Sequence, residues 1–145
     1  MEARVPTSQP EQLRQRTKQF ALRIVMLFQS LPNSDVTRTL GRQVLRSGTS
    51  VAANYRAVCR ARSKAEFVAK LGVVLEEADE TAFWLELLME AGVVPESRLK
   101  GLLVETNELV RIFSASRQTA RRRPAKGLGV KGDATTVQSP NRSIT

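Results

Sequence analysis

Apolar residues recur every three or four positions through most of this chain, and no stretch shows the strict alternation of apolar and polar residues that strands require. A spacing of about 3.6 residues is typical of amphipathic helices, each of which must bury one face. The pattern predicts four helices, over Glu11–Gln29, Asp35–Arg60, Lys64–Ala91 and Pro95–Ser116. Short connections make consecutive helices antiparallel, so we predict an all-α fold, an antiparallel up-down-up-down four-helix bundle.

Local signals mark the ends of the predicted helices. Pro32 blocks continuation of the first helix, and Asn33 or Ser34 can cap the second. Ser63 and Glu66 form a capping-box pattern at the start of the third helix. These signals give helix boundaries that do not depend on the apolar pattern.

The second predicted helix carries a row of small residues beside its apolar face. Gly41, Gly48, Ala52 and Cys59 fall within a narrow sector when successive residues are turned by about 100°. Two glycines inside a helix cost about 1 kcal/mol each relative to alanine. We therefore predict that this row lets a neighbouring helix approach closely, with Cys59 as a small buried residue. The alternative is that the glycines mark a kink or break near Ser47 and Gly48.

The third predicted helix has a second set of apolar residues on the side opposite its core-facing stripe. A surface helix normally carries one apolar stripe and a polar back. We therefore predict that this set forms a subunit interface centred on Trp84. The alternative is a single exposed tryptophan covered by a loop, which does not account for the other members. The predicted interface residues are Val73, Phe83, Trp84 and Leu87.

The formal charge of +9 is unevenly distributed along the 145 residues. Residues 115–145 carry seven basic residues and one acidic residue, and they are rich in Gly, Ser, Thr and Pro. Such a segment buries too little apolar surface to offset the entropy of ordering. We therefore predict a flexible N-terminus over residues 1–10, the bundle over residues 11–117 and a disordered basic tail over residues 118–145.

A stripe of arginines lies along one face of the second predicted helix and continues into the turn after it. Guanidinium groups keep their charge and can donate two hydrogen bonds to one phosphate, so we predict a contact surface for the nucleic-acid backbone. The alternative is that these arginines pair with the acidic third helix, and Arg46, nearest the apolar face, is expected to do so. The predicted contacts are Arg38, Arg42, Arg56, Arg60, Arg62 and Lys64, with Arg121, Arg122 and Arg123 in the tail.

The inventory of reactive side chains argues against an enzyme. The chain has no histidine, the commonest general base and metal ligand, and its one cysteine excludes an intrachain disulfide. A di-metal bundle site uses Glu-x-x-His motifs, so the dense carboxylates of the third helix are interpreted as a solvated or ion-paired face. We predict no catalytic residue, metal site or cofactor. Without a long apolar run or a signal peptide, the sequence predicts a cytoplasmic protein with no membrane span.

Three stretches, Gln43–Arg56, Arg60–Phe67 and Glu76–Leu85, resemble a bacterial four-helix-bundle family named for proteins encoded within intervening sequences of 23S ribosomal RNA genes. The family includes the accessory variability determinant of diversity-generating retroelements, and the resemblance covers about residues 11–117. It implies a homopentamer and, in the retroelement branch, a basic pentamer that binds a reverse transcriptase and nucleic acid. The family usually carries a glutamate where this chain has Arg56–Val58, so the stripe is more basic here.

Two functions are compatible with these observations. The first is a non-enzymatic oligomeric adaptor that binds RNA or DNA through basic surfaces. The second is a protein-interaction scaffold with no direct nucleic-acid binding. Removing the basic tail distinguishes them in part, because a scaffold keeps its protein partner without the tail.

Overall fold

The computed structural model describes residues 8–123, which form four helices and, within that range, no strand. The helices are α1 (Gln9–Ser30), α2 (Asp35–Val58), α3 (Lys64–Glu90) and α4 (Glu96–Arg122). Each packs against its neighbour in the sequence, and α4 returns to α1 over a smaller contact. The prediction of an all-α, antiparallel up-down-up-down bundle is confirmed.

Serine side chains cap the first three helices. The hydroxyls of Ser8, Ser34 and Ser63 each accept a hydrogen bond from the backbone amide three residues further on, at 3.4, 3.2 and 3.1 Å. The first of these caps was not predicted, and α1 starts at Gln9, inside the predicted flexible N-terminus. Pro10 is compatible with that earlier start because the first turn of a helix does not need its missing amide.

Short loops connect the helices and impose the antiparallel arrangement. Four residues join α1 to α2, and five residues join each of the other two pairs. In the last loop Gly92 adopts φ of 69°, a left-handed conformation that residues with a Cβ atom rarely tolerate. Its amide donates to the carbonyl of Met89 at 3.1 Å and closes the end of α3.

One apolar core runs between the helices. Its centre is formed by side chains that are fully or almost fully buried, including Phe20, Ile24, Leu85, Leu99 and Phe113. The cluster also includes two fully or almost fully buried residues, Leu88 near the end of α3 and Val94 in the loop before α4.

The two glycines of the small-residue row of α2 lie close to α1 and its C-cap residue, as predicted. A Cβ atom at Gly48 would lie 2.8 Å from Cγ1 of Ile24, and one at Gly41 would lie 2.5 Å from Cδ1 of Leu31. The alternative of a break near Gly48 is wrong, because α2 is one helix from end to end. The prediction for Cys59 is also wrong: this residue is the C-cap of α2, keeps helical backbone angles and is exposed.

Helix α4 extends further than predicted. We expected it to end at Ser116, with disorder from residue 118, but it continues to Arg122. The Lys64 ammonium donates to the carbonyls of Arg121, at 3.4 Å, and Arg123, which satisfies carbonyls at the helix end. The rest of the predicted tail, and residues 1–7, lie outside the described part of the chain.

Candidate nucleic-acid interface

The arginines of α2 do not form one uninterrupted stripe. Arg46, near the middle of the helix, pairs with Glu80 and, at 3.5 Å, with Glu77 of α3. Its predicted pairing with a carboxylate is confirmed, and these two carboxylates of α3 are ion-paired as we interpreted them. The neutralised Arg46 separates the exposed Arg38 and Arg42 from Arg56 and Arg60 near the other end of the helix.

Arg56, Arg60 and Arg62 converge on one cleft of about 530 Å³ at the end of the bundle where α2 ends and α3 begins. Lys70 and Glu66 of α3 complete its polar lining. Ala53 and Ala57 of α2 are its apolar lining residues. We call this site the basic cleft.

The cleft carries four cationic side chains and one carboxylate, and that carboxylate is already engaged. Glu66 accepts from the Lys70 ammonium at 2.7 Å and from the backbone amide of Arg62 at 3.1 Å. The hydrogen bond from Lys70, followed by that from the Arg62 amide, lowers the pKa of Glu66 below its ordinary value. Within residues 8–123, the guanidinium groups of Arg56, Arg60 and Arg62 have no hydrogen-bond or ion-pair partner.

The structure separates Arg38 and Arg42 from this cleft. Arg42 precedes Arg56 by fourteen helical positions, which corresponds to about 21 Å along the helix axis. Arg38 donates to the side-chain oxygen of Asn33 at 3.5 Å. These two predicted contacts therefore form a second, smaller basic group rather than part of the same site.

The remaining predicted contacts lie at the same end of the bundle as the basic cleft. Lys64 is the first residue of α3, and its ammonium is committed to the carbonyls at the end of α4. The side chains of Arg121, Arg122 and Arg123 are exposed around this junction. The contact from Lys64 thus holds the end of α4, which carries these three arginines, beside the start of α3.

The predicted interface residues on α3 divide into two exposed and two half-buried side chains. Val73 and Phe83 are 42% and 53% exposed. Trp84 and Leu87 are half-buried, and the Trp84 indole donates to Glu80 at 3.2 Å while its ring meets Phe83 edge-on with centroids 4.9 Å apart. Phe83 and Val73 are thus the exposed large apolar side chains of this predicted set.

One cationic residue of the cleft was missed by the sequence reasoning. Lys70 is the single basic residue in the acidic stretch of α3, and its sequence context gave no sign of a site. A position four residues after Glu66 places it on the same helix face. That spacing was the available signal, but it could not show that the face borders α2.

Two further observations bear on the class of protein. In the described part of the chain, no group of three or more histidine, cysteine or acidic residues is arranged to hold a metal ion. Among the four helices, none combines the length and apolar composition of a membrane span.

One protein family and one solved structure match this chain over most of the four-helix bundle. The sequence model of one family, described as 23S rRNA-intervening sequence protein, matches residues 11–115. A crystal structure of a protein with unknown function from the S23 ribosomal protein family of Bacteroides thetaiotaomicron is 32% identical to this chain. The match covers 77% of this chain and 99% of that relative, with a TM-score of 0.71. The comparison with curated proteins gives no match.

The helix order and the cationic cleft define a four-helix bundle with a basic surface at one end. The chain belongs to the 23S rRNA-intervening sequence protein family. The resemblance predicted from the sequence is thereby confirmed at the level of the family. Neither the family's description nor that of the solved relative indicates an enzyme.

Proposed function

We propose that this protein is a non-enzymatic homo-oligomeric adaptor that binds nucleic acid through the basic cleft. The observation that carries the proposal is the convergence of Arg56, Arg60 and Arg62 on one cleft without a partner for any of their guanidinium groups among the described residues. Arg46, near the middle of the same helix, is by contrast neutralised by Glu80.

The chemistry of the cleft suits phosphate groups. A guanidinium fork donates two parallel hydrogen bonds to a phosphate and stays charged at every physiological pH. Glu66, paired with Lys70, is the one carboxylate of the cleft and stands against four cationic side chains. Contacts of this kind recognise the sugar–phosphate backbone and carry no sequence information.

Assembly into a homo-oligomer would multiply the effect of each cleft. The exposed Phe83 and Val73 supply an apolar face of the type that subunit interfaces bury. The family resemblance implies five copies, so one assembly would present five basic clefts. Several weak sites on one particle bind a long polyanion far more tightly than one site does.

A second candidate function is a protein-interaction scaffold. The same apolar face of α3 favours it, because Phe83 lies among exposed carboxylates and would suit a protein partner carrying apolar and basic residues. If the chain belongs to the retroelement branch of the family, that partner would be a reverse transcriptase. The two candidate functions use different surfaces and can be tested separately.

Titration of labelled RNA and DNA duplexes against the full chain tests the first proposal. At about 50 mM salt we expect binding, and affinity should fall steeply as salt rises toward about 200 mM, because each phosphate contact releases counterions. A matched chain ending at Arg123 keeps all four helices and should retain most of the binding. Absence of binding at about 50 mM, or binding that is indifferent to salt, would refute the proposal, and loss of all binding in the shorter chain would assign it to residues 124–145 instead.

A further inference from the structure

A second cleft, of about 540 Å³, lies between α1 and α2 at the same end of the bundle. Its cationic residues are Arg14 and Lys18 of α1 and Arg56 of α2, and Glu11 and Gln15 complete its polar lining. Neither Arg14 nor Lys18 stood out in the sequence, because they lie outside the arginine stripe of α2. We call this site the α1–α2 cleft.

The α1–α2 cleft is continuous with the basic cleft. Ala53 and Arg56 line both of them. Ala52 lines the α1–α2 cleft and Ala57 lines the basic cleft. The one long side chain shared by the two clefts is the arginine at position 56, which can reach an anion in either.

The charge of the combined surface is strongly positive. Six cationic side chains line the two clefts, against two carboxylates. Both carboxylates are paired: Glu66 with Lys70 at 2.7 Å, and Glu11 with Arg14. Within residues 8–123, the ammonium group of Lys18 has no hydrogen-bond or ion-pair partner. The surface therefore has unpaired cations in both clefts.

We propose that the α1–α2 cleft is a second phosphate-binding site, so that one nucleic-acid strand runs from Arg60 and Arg62, over Arg56, to Lys18 and Arg14. The inference rests on the proposed function and deepens it. The ligand class is a polyanion with at least two phosphate groups in series, one for each cleft. Ala53 allows the strand to pass close to α2.

Glu11 is the one carboxylate that lines the α1–α2 cleft, and it should oppose phosphate binding there. It is paired with Arg14, and the hydrogen bond from Arg14 holds the pKa of Glu11 below its ordinary value, so it is ionised at neutral pH. An ionised carboxylate in a phosphate site weakens binding by repulsion and by competing for the guanidinium. Removing its charge should therefore strengthen binding more than removing the charge of a carboxylate that lies far from both clefts.

The first experiment uses the salt dependence of duplex affinity in the full-length protein. The double variant Arg14→Gln/Lys18→Gln removes two cations from the α1–α2 cleft. Its matched control, Arg98→Gln/Lys100→Gln, removes two exposed cations from the opposite end of the bundle. We expect the slope of log affinity against log salt to fall by about one per lost phosphate contact, and so by about two in the first variant, with little change in the control.

The second experiment is a gain of function. Glu11→Gln should raise the affinity at low salt by about two- to fivefold, the range of a surface charge interaction. Glu96→Gln, which makes the same change of net charge at the opposite end of the bundle, should raise it much less. A circular dichroism melt of each variant checks that the bundle is intact.

The outcomes separate the two proposals. If the wild type binds and only changes in the basic cleft weaken it, the second site is refuted while the proposed function stands. If Glu11→Gln and Glu96→Gln act equally, net charge alone explains the gain and the α1–α2 cleft is again refuted. If the wild type does not bind nucleic acid, both proposals fail together.

Discussion

Gly48 on α2 lies against Ile24 on α1 so closely that a single added methyl group would come within 2.8 Å of Cγ1 and 3.0 Å of Cγ2 of Ile24. Ile24 is fully buried and β-branched, so it has little freedom to move aside. The glycine therefore sets the distance between the two helices.

Substituting Gly48→Ala tests this relationship. Alanine favours a helix by up to about 1 kcal/mol over glycine, but overpacking a core costs about 1–3 kcal/mol. We expect a net decrease in the free energy of unfolding, measured by urea denaturation. Gly101→Ala is the control, because the exposed Gly101 meets only the end of the Arg23 side chain at 3.3 Å, and it should stabilise the protein. A Gly48→Ala variant as stable as wild type would contradict the close approach.

The single tyrosine of the chain reports directly on the core. Tyr55 packs against Phe113 with ring centroids 5.6 Å apart, and burial raises the pKa of Tyr55 to about 12. We expect its phenolate absorbance to appear near pH 12 in the folded protein and near the ordinary value of about 10 after unfolding in urea. Because the folded-state pKa is the higher one, this group's contribution to stability is complete below pH 10 and is lost as the pH rises toward 12. A midpoint near 10 in the folded chain would show that Tyr55 is exposed.

Lys64 should control the last turn of α4. Lys64→Met removes the donor to the carbonyls of Arg121 and Arg123, and a cation at a helix C-terminus contributes about 0.3–1 kcal/mol. We expect faster hydrogen exchange at the amides of residues 119–123 and unchanged exchange in the middle of α4. Lys100→Met, in the first turns of the same helix, serves as the control. Equal protection in wild type and Lys64→Met would mean that the helix end does not depend on this contact.

Phe83 should be needed for assembly. Phe83→Ser removes the largest exposed apolar side chain of α3, and we expect the mass in solution to fall from that of an oligomer, five chains by the family resemblance, toward that of one chain. Met26→Ser is the matched control, because Met26 is 67% exposed on α1 and lies outside this face. A wild type that is monomeric, or an assembly lost in Met26→Ser but kept in Phe83→Ser, would contradict the assignment of the interface.

The fold could be predicted from the sequence because its determinants are local. Ser34 and Ser63 cap helices through contacts with residues only three positions away, so the sequence pattern contained the whole interaction. The end of α4 could not be predicted in this way, because Lys64 and Arg121 are 57 positions apart. The exposure of Cys59 was missed because a position on a helix face does not show whether another element covers it.

The candidate site could be predicted only in part. Arg56, Arg60 and Arg62 could be predicted as a group because they lie close together in the sequence, in the last turn of α2 and the loop that follows it. The contribution of Lys70 depends on how α3 packs beside α2, and that of Lys18 on how α1 packs there. Tertiary packing of this kind leaves no periodic pattern in the sequence.

The most direct test of the central claim is the duplex affinity of Arg60→Gln/Arg62→Gln at low salt, compared with Arg98→Gln/Lys100→Gln. Both variants lose two positive charges, but only the first loses them from the basic cleft. We predict a loss of about tenfold or more for the cleft variant, with a salt slope reduced by about two, and little change for the control. Equal losses in the two variants would show that binding follows net charge alone and would contradict the basic cleft as the nucleic-acid site.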